Sequence, residues 1–191
     1  MKNIIILMSI LWLVGCSTTP KMKDETDLSF HLTRTDVGTL PDPMVLNKPI
    51  DDQQLLTTQV QGHELSFMSI LHRDQKGLQL NALSAVGIRL FAINYDGNTV
   101  KVTQYMPGMR LPDVNDIIAN IMLAYYDFSV WKHHLPENWS MDDQGLTRKV
   151  LDQNGEVIIQ IDYEKQKNRN LPIMIRNNVL KYTINLKNLN D

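Results

Sequence analysis

The sequence predicts a mainly β domain: a curved antiparallel sheet with one helical insertion across its apolar face. Three observations predict it. First, turn signals recur at short intervals, at Asp74-Gln75-Lys76-Gly77, Asp96-Gly97, Asp143-Gln144-Gly145, Asn154-Gly155 and Asn177-Asn178. Asn-Gly and Asp-Gly pairs supply the positive φ that tight hairpins need. Second, the runs between these signals are β-rich, and several alternate polar and apolar residues at period two. Third, a single segment switches to helical spacing.

At the N-terminal end, Lys2 precedes an apolar run from Ile4 to Val14 that only Ser9 interrupts. The run is too short for a bilayer core of about 30 Å, which takes about 20 helical residues. It has the length and flanks of a secretory signal. Leu13-Val14-Gly15-Cys16 follows, holding the only cysteine of the chain. These residues resemble the lipobox of bacterial lipoproteins. That resemblance implies a signal peptide over residues 1–15 and a Cys16 thiol alkylated by a diacylglyceryl group. Cleavage would then make Cys16 the N-terminus, with its amine open to acylation by a chain such as palmitate. The other reading is a buried structural cysteine, since a free cysteine is often just a small hydrophobe. Two or three acyl chains, at about 0.8 kcal/mol per buried methylene, make a stable anchor where one is marginal. Ser17 stands where an aspartate commonly retains such proteins in the inner membrane, which implies the outer membrane with the domain facing the periplasm. With the one cysteine consumed, the core must hold together without a disulfide.

Residues 16–27, with Ser17 to Asp27 reading "STTPKMKDETD", are polar and read as a flexible tether. Residues 28–191 are expected to form one domain. Within it the β-rich runs are "HELSFMSILHR", "GLQLNALSAV", "IRLFAINY", "TVKVTQYM", "LTRKVL", "EVIIQIDY", "LPIMIR" and "VLKYTINL". Val157, Ile159, Ile161 and Tyr163 point one way, as do Leu180, Tyr182, Ile184 and Leu186, which predicts one apolar and one wet face. The exception spans about residues 113–135. There Val114, Ile117, Ile118, Ile121, Met122 and Tyr125 form a helix stripe, Asp113 is the expected N-cap and Pro136 closes the segment. Such a sheet either packs solid beneath its helix or stays open around a lined hollow.

"GLQLNALSAVGIRLFAINYDG", Gly77 to Gly97, followed by "DIIANIMLAYYDFSVWKHHLPENW", Asp116 to Trp139, resembles a family of uncharacterised bacterial lipoproteins. Its members often sit in gene clusters for aryl-polyene lipid biosynthesis. Leu80, Leu83, Gly87, Arg89, Leu90, Phe91, the Tyr95-Asp96-Gly97 turn, Trp131, Leu135-Pro136, Trp139 and "TRKVLDQNG" carry the resemblance. More remotely, that family is similar to the lipoprotein carriers LolB and LolA. This similarity implies an open antiparallel half-barrel with a helical lid over a cavity for acyl chains. It also implies a periplasmic carrier protein as a partner. LolB has an exposed loop with an apolar tip, and the hairpin matched to it here, His72 to Gly77, is polar throughout. A polyene or acyl lipid is therefore the expected cargo, in preference to lipoproteins at large. The expected cavity wall is Phe67, Leu80, Phe91, Ile93, Ile117, Ile121, Met122, Trp131 and Ile159.

Nothing in the sequence assembles a catalytic set. The adjacent His133-His134 pair lies about 100° apart on a helix, where metal pairs want i, i+4 spacing. Asp51-Asp52 and Asp142-Asp143 read as solvated loop carboxylates. Nucleophile-elbow, zinc-helix and phosphate-loop motifs are missing from the sequence. A formal net charge of −2 argues against nucleic acid. The expectation is a non-enzymatic envelope lipoprotein without cofactor or metal. It either binds a hydrophobic chain or, with a filled core, serves as an anchored interaction subunit.

Overall fold

The computed structural model describes residues 20–45, 48–60 and 63–190. Cys16 and the signal residues lie outside them. Eleven strands form one open antiparallel sheet. In chain order they are β1 (Lys21–Glu25), β4 (Ile50–Val60), β5 (His63–Asp74), β6 (Gly77–Leu83), β7 (Arg89–Tyr95), β8 (Val100–Gln104), β9 (Ser140–Gln144), β10 (Thr147–Leu151), β11 (Val157–Gln166), β12 (Arg169–Asn177) and β13 (Tyr182–Asn188). The spatial order is β1-β8-β7-β6-β5-β4-β13-β12-β11-β10-β9. Two meanders, β4 to β8 and β9 to β13, meet where β13 pairs with β4. Between them come helix α1 (Val114–Tyr125) and the short α2 (Phe128–Trp131). Strands β2 (Ser29–His31) and β3 (Val37–Thr39) form a separate hairpin.

Three segments differ from the expectation. Lys21–Glu25, placed in the tether by composition, is strand β1, antiparallel to β8 from Lys21↔Gln104 to Glu25↔Val100. A charged strand suits this place, because a sheet edge is protected from further pairing by charge. Asp51-Asp52 lies within β4, and Asp142-Asp143 within β9, so neither pair is in a loop.

Register puts Leu78, Leu80 and Ala82 of β6 on the inner face with Phe91, Ile93 and Tyr95 of β7 and Val100 and Val102 of β8. All are buried. Across the sheet, Val150, Ile159, Ile161 and Ile175 complete that face. Helix α1 packs Ile118, Ala119, Met122 and Leu123 against it, each essentially sealed from solvent. Trp131 of α2 meets the Phe30 ring edge-on at 5.9 Å between centroids. Each such large side chain, fully buried, contributes about 1.5–3 kcal/mol. Gly38 permits the approach: a Cβ there would lie 2.7 Å from the Phe30 ring and 2.8 Å from the His134 carbonyl oxygen.

The start of α1 is built as its sequence suggests. Asp113 caps it by accepting from the Asn115 N–H at 2.9 Å, and the Asn115 amide donates to the carbonyls of Asp27 and Ser29. In the first turn, Asp116 accepts from the His31 N–H at 2.7 Å. Burial raises the pKa of Asp116, with the hydrogen bond and charge of His31 opposing. A raised carboxyl pKa means that the fold disfavours the ionised form. That cost is absent below the ordinary value of 3.8, where both states are protonated, and is complete above the raised value. Asp116→Asn, which keeps an acceptor for His31, is therefore expected to raise the urea midpoint at about pH 7. The gain should vanish at about pH 3.

Candidate functional site

Helix α1 is apolar around more of its circumference than one packing face requires. Ile118 and Met122 point into the core, whereas Val114, Ile117, Ile121 and Tyr125, spaced i, i+3, i+7, i+11, remain half-buried. Such spacing keeps all four on one side of the helix. The ends of that stripe are fixed by contacts. Val114 lines a cleft of about 150 Å³ with Val102 and Gln104 of β8, Leu111 and Lys21. The Tyr125 hydroxyl donates to Asp52 Oδ2 at 2.9 Å and accepts from Gln54 Nε2 at 3.1 Å, both on β4. The stripe therefore runs from β8 to β4 along the inner face.

Beneath it, burial changes along the strands. On β4 the inner positions Ile50, Asp52 and Gln54 are buried, but Leu56 and Thr58 are half-buried. On β5 the same progression runs from Arg73, Leu71 and Ser69 to half-buried Phe67 and exposed Leu65. Ile184 and Leu186 of β13, beside Thr58 and Leu56, are half-buried too. The inner face is thus sealed toward the β5–β6 turn and stays partly solvated and largely apolar toward the β4–β5 turn. Phe67 meets the Phe91 ring at 5.9 Å, at 65° between ring planes, where the open part meets the packed part.

Of the nine expected wall residues, Phe67, Ile117 and Ile121 are half-buried at the margin of the core. The other six, Leu80, Phe91, Ile93, Met122, Trp131 and Ile159, are at most 4% exposed. A side chain lining a water-sized void would show accessible surface, so these six are packed core. Period and parity find the inner face correctly but do not separate its sealed half from its open half.

A polar network marks the sealed end. Asp52 is fully buried and receives Arg169 Nη2 at 2.6 Å in addition to Tyr125. Burial first, then the neighbouring Asp52 carboxylate, push the Tyr125 hydroxyl far above its ordinary range. Tyr182 donates to Asn120 Oδ1 at 3.0 Å on the other flank of α1, and burial pushes it up to about 12. Arg169 also borders a surface cavity of about 400 Å³ with Lys48, Gln166, Lys167, Asn168 and Asn190, at the end of the sheet away from the β4–β5 turn. Arg169→Ala leaves the Asp52 carboxylate buried with the Tyr125 hydroxyl. Removing one partner of a buried pair costs about 3–5 kcal/mol, and the half-exposed guanidinium reduces this to about 2 kcal/mol. Urea denaturation should show that loss, and adding Asp52→Asn should recover most of it.

His133 and His134 follow α2. His134 Nδ1 lies 3.0 Å from Thr39 Oγ1, and its carbonyl accepts from the Thr39 N–H, so this histidine ties the β2–β3 hairpin to the helices. Burial lowers its pKa. Among the described residues no three His, Cys, Asp or Glu side chains gather as metal ligands. Nor is any described helix long and apolar enough to cross a membrane.

Sequence reasoning passed over Arg148. Its buried guanidinium donates to the Leu123 and Tyr126 carbonyls at 2.6 and 2.7 Å, and to Asp143 Oδ2 at 2.6 Å. It thereby closes the C-terminal end of α1. The signal was present in "LTRKVL", where alternation puts an arginine on the same face as Val150.

None of the curated proteins compared matches the chain. A family model does match, over residues 51–190, which takes in strands β4 to β13 and both helices. The chain belongs to the family described as protein of unknown function, DUF3261.

Proposed function

We propose that the chain is an outer-membrane lipoprotein, anchored through Cys16, that binds the acyl or polyene chain of a lipid-like molecule during envelope transport. The half-barrel and lid would work in the manner of LolA and LolB, with the cargo received from or passed to a periplasmic carrier. One observation carries this reading: Ile117 and Ile121 of α1, and Leu56, Phe67, Ile184 and Leu186 of the inner sheet face, are all left half-buried at the margin of the core. Apolar side chains left half-solvated on both sides of a groove lose that water when a hydrocarbon chain lies between them. Each methylene buried contributes about 0.8 kcal/mol. The cleft of about 150 Å³ at the start of α1 is smaller than the ~300 Å³ at which ligand pockets begin. Loading therefore requires α1 to lift from the β4–β5 end. The polar head stays at the groove mouth.

A second reading has its own support. Six expected wall residues are packed, which favours a filled core in a membrane-anchored, non-enzymatic interaction subunit. Two measurements on the chain purified from its own membranes separate these readings. Solvent extraction with mass spectrometry is expected to yield a bound lipid in near-stoichiometric amount. Titration with a fluorescent fatty acid is expected to saturate. A chain that carries no lipid and shows no saturable binding is the interaction subunit.

A further inference from the structure

The β6–β7 turn raises a separate question. Ser84 to Ile88 is a tight turn: the Ser84 N–H donates to the Ile88 carbonyl at 2.8 Å, and the Ile88 N–H to Ser84 Oγ at 3.1 Å. Gly87, at φ +80°, supplies the left-handed position, and a Cβ there would meet nothing. On this tip Val86 is 79% exposed and Ile88 57%. Register brings other segments to the same corner. Leu83 pairs with Arg89 beside the turn, Phe91 with Gln104, Gln104 with Lys21, and Met68 with Leu83. The start of β1, the end of β8 and the beginning of β5 therefore lie with the β6–β7 turn at one corner of the sheet. Exposed Met22, Leu65 and Met106 sit there as well.

We infer that this corner, led by Val86 and Ile88, is a docking face for the surface of a lipid bilayer. Three features favour a bilayer over a protein occupant. The chain outside the described residues enters here: Pro20 leads directly into Lys21, so the apolar run and Cys16 stand immediately upstream of this corner. Five residues reach at most about 18 Å, so a lipid on Cys16 holds the corner at the membrane. Next, the chemistry suits an interface. The Arg89 guanidinium lies 5.2 Å from the centre of the Tyr105 ring and donates to its hydroxyl at 3.2 Å. An aromatic with cations beside it belongs at headgroup depth, and Lys21 and Arg110 are exposed nearby. Acidic neighbours are Glu64, Asp24, Asp113 and Glu25, the last paired with Lys23. Finally, the exposed apolar side chains come from four separate segments on turn tips and strand ends, a spread of points that a fluid bilayer can take up without matched shape.

The opposite end of the sheet differs. Exposed Met44, Val45 and Leu189 occur there, and Leu146 stands alone on the β9–β10 tip, but the other hairpin tips are Asp74-Gln75-Lys76, Lys167-Asn168 and Asp96-Gly97-Asn98. The polar hairpin His72 to Gly77 belongs to that end, whereas the β6–β7 turn carries two exposed aliphatic side chains. The inference rests on the proposed Cys16 anchor, and holds whether or not the proposed groove carries a ligand.

The test uses the full chain reconstituted into vesicles of phosphatidylethanolamine and phosphatidylglycerol, with and without brominated acyl chains. Flotation first reports anchoring. Val86→Trp and Ile88→Trp are then compared with the unsubstituted chain and with Leu146→Trp, an exposed apolar position at the far end. The emission gained at positions 86 and 88 is expected to fall at least about twofold with brominated lipid, and that gained at 146 to stay unchanged. A chain that floats while 86 and 88 escape quenching overturns the docking face and leaves the anchor standing. Equal quenching at all three positions overturns it as well, as does a chain that does not float. Emission at 86 and 88 that shifts with protein concentration in unbrominated vesicles, without quenching in brominated ones, assigns the corner to a second copy and overturns the bilayer.

Discussion

Arg148→Ala is expected to lower stability by about 3 kcal/mol. Its guanidinium does three things at once. It satisfies the Leu123 and Tyr126 carbonyls at the end of α1, which have no partner within the helix. It places positive charge where the helix dipole is negative. It binds Asp143 on the neighbouring edge strand β9 through Nε and Nη2 and lies 5.8 Å from the centre of the Tyr163 ring. The Tyr163 hydroxyl itself donates to the Ala124 carbonyl at 2.9 Å, so the two side chains close the helix end together. Alanine leaves buried carbonyls unmet, each costing about 1–3 kcal/mol. Asp143, nearly half exposed, recovers its solvation from water. Thermal unfolding should fall by about 6–12 °C for a domain of this size. Arg148→Lys, with one ammonium for three acceptors, should recover only part of that loss. Asp143→Ala should cost under about 1 kcal/mol. An Arg148→Ala loss no larger than that of Asp143→Ala would mean that the carbonyl contacts carry nothing.

The contrast between Arg148 and Asp52 explains what sequence alone reveals here. Strands β5 to β8 and β10 to β13 are legible because apolar residues alternate between turns that need glycine or asparagine. Strand β4, "IDDQQLLTTQV", hides because its inner positions include Asp52 and Gln54, polar side chains whose burial depends on Tyr125 and Arg169 far along the chain. Strands β1 and β9 hide for another reason: edge strands are kept polar, and so look like linkers. The helix was visible in its period, but its two apolar sides were not separable. Ile118 and Met122 differ from Ile117 and Ile121 only in which side meets the sheet, which is set by where Tyr125 and Asn115 anchor the two ends. Likewise Val86 and Ile88 continue a β-rich run in the sequence. Only the turn from Ser84 to Ile88 lifts them out of the sheet and into solvent.

That division of α1 yields a result that distinguishes a groove from a solid core. Ile121→Glu is expected to weaken binding of a fluorescent fatty acid at least about tenfold, which is 1.4 kcal/mol or more. Stability should change by no more than about 1 kcal/mol. The half-buried side chain can turn its carboxylate to water in the empty protein. With a hydrocarbon chain in place that charge must be desolvated without a partner, a cost of several kcal/mol, unless the chain is displaced. Met122→Ala makes the complementary measurement one residue away. Met122 is fully sealed, so its truncation should cost about 2–5 kcal/mol of stability. Binding by the fraction that remains folded should be nearly unchanged. If Ile121→Glu binds the probe as tightly as the unsubstituted chain, the hydrocarbon does not lie along this stripe. If Met122→Ala weakens binding as much as Ile121→Glu does, the ligand enters the packed half of the sheet, and the division between sealed and open interior is not the one that selects the site.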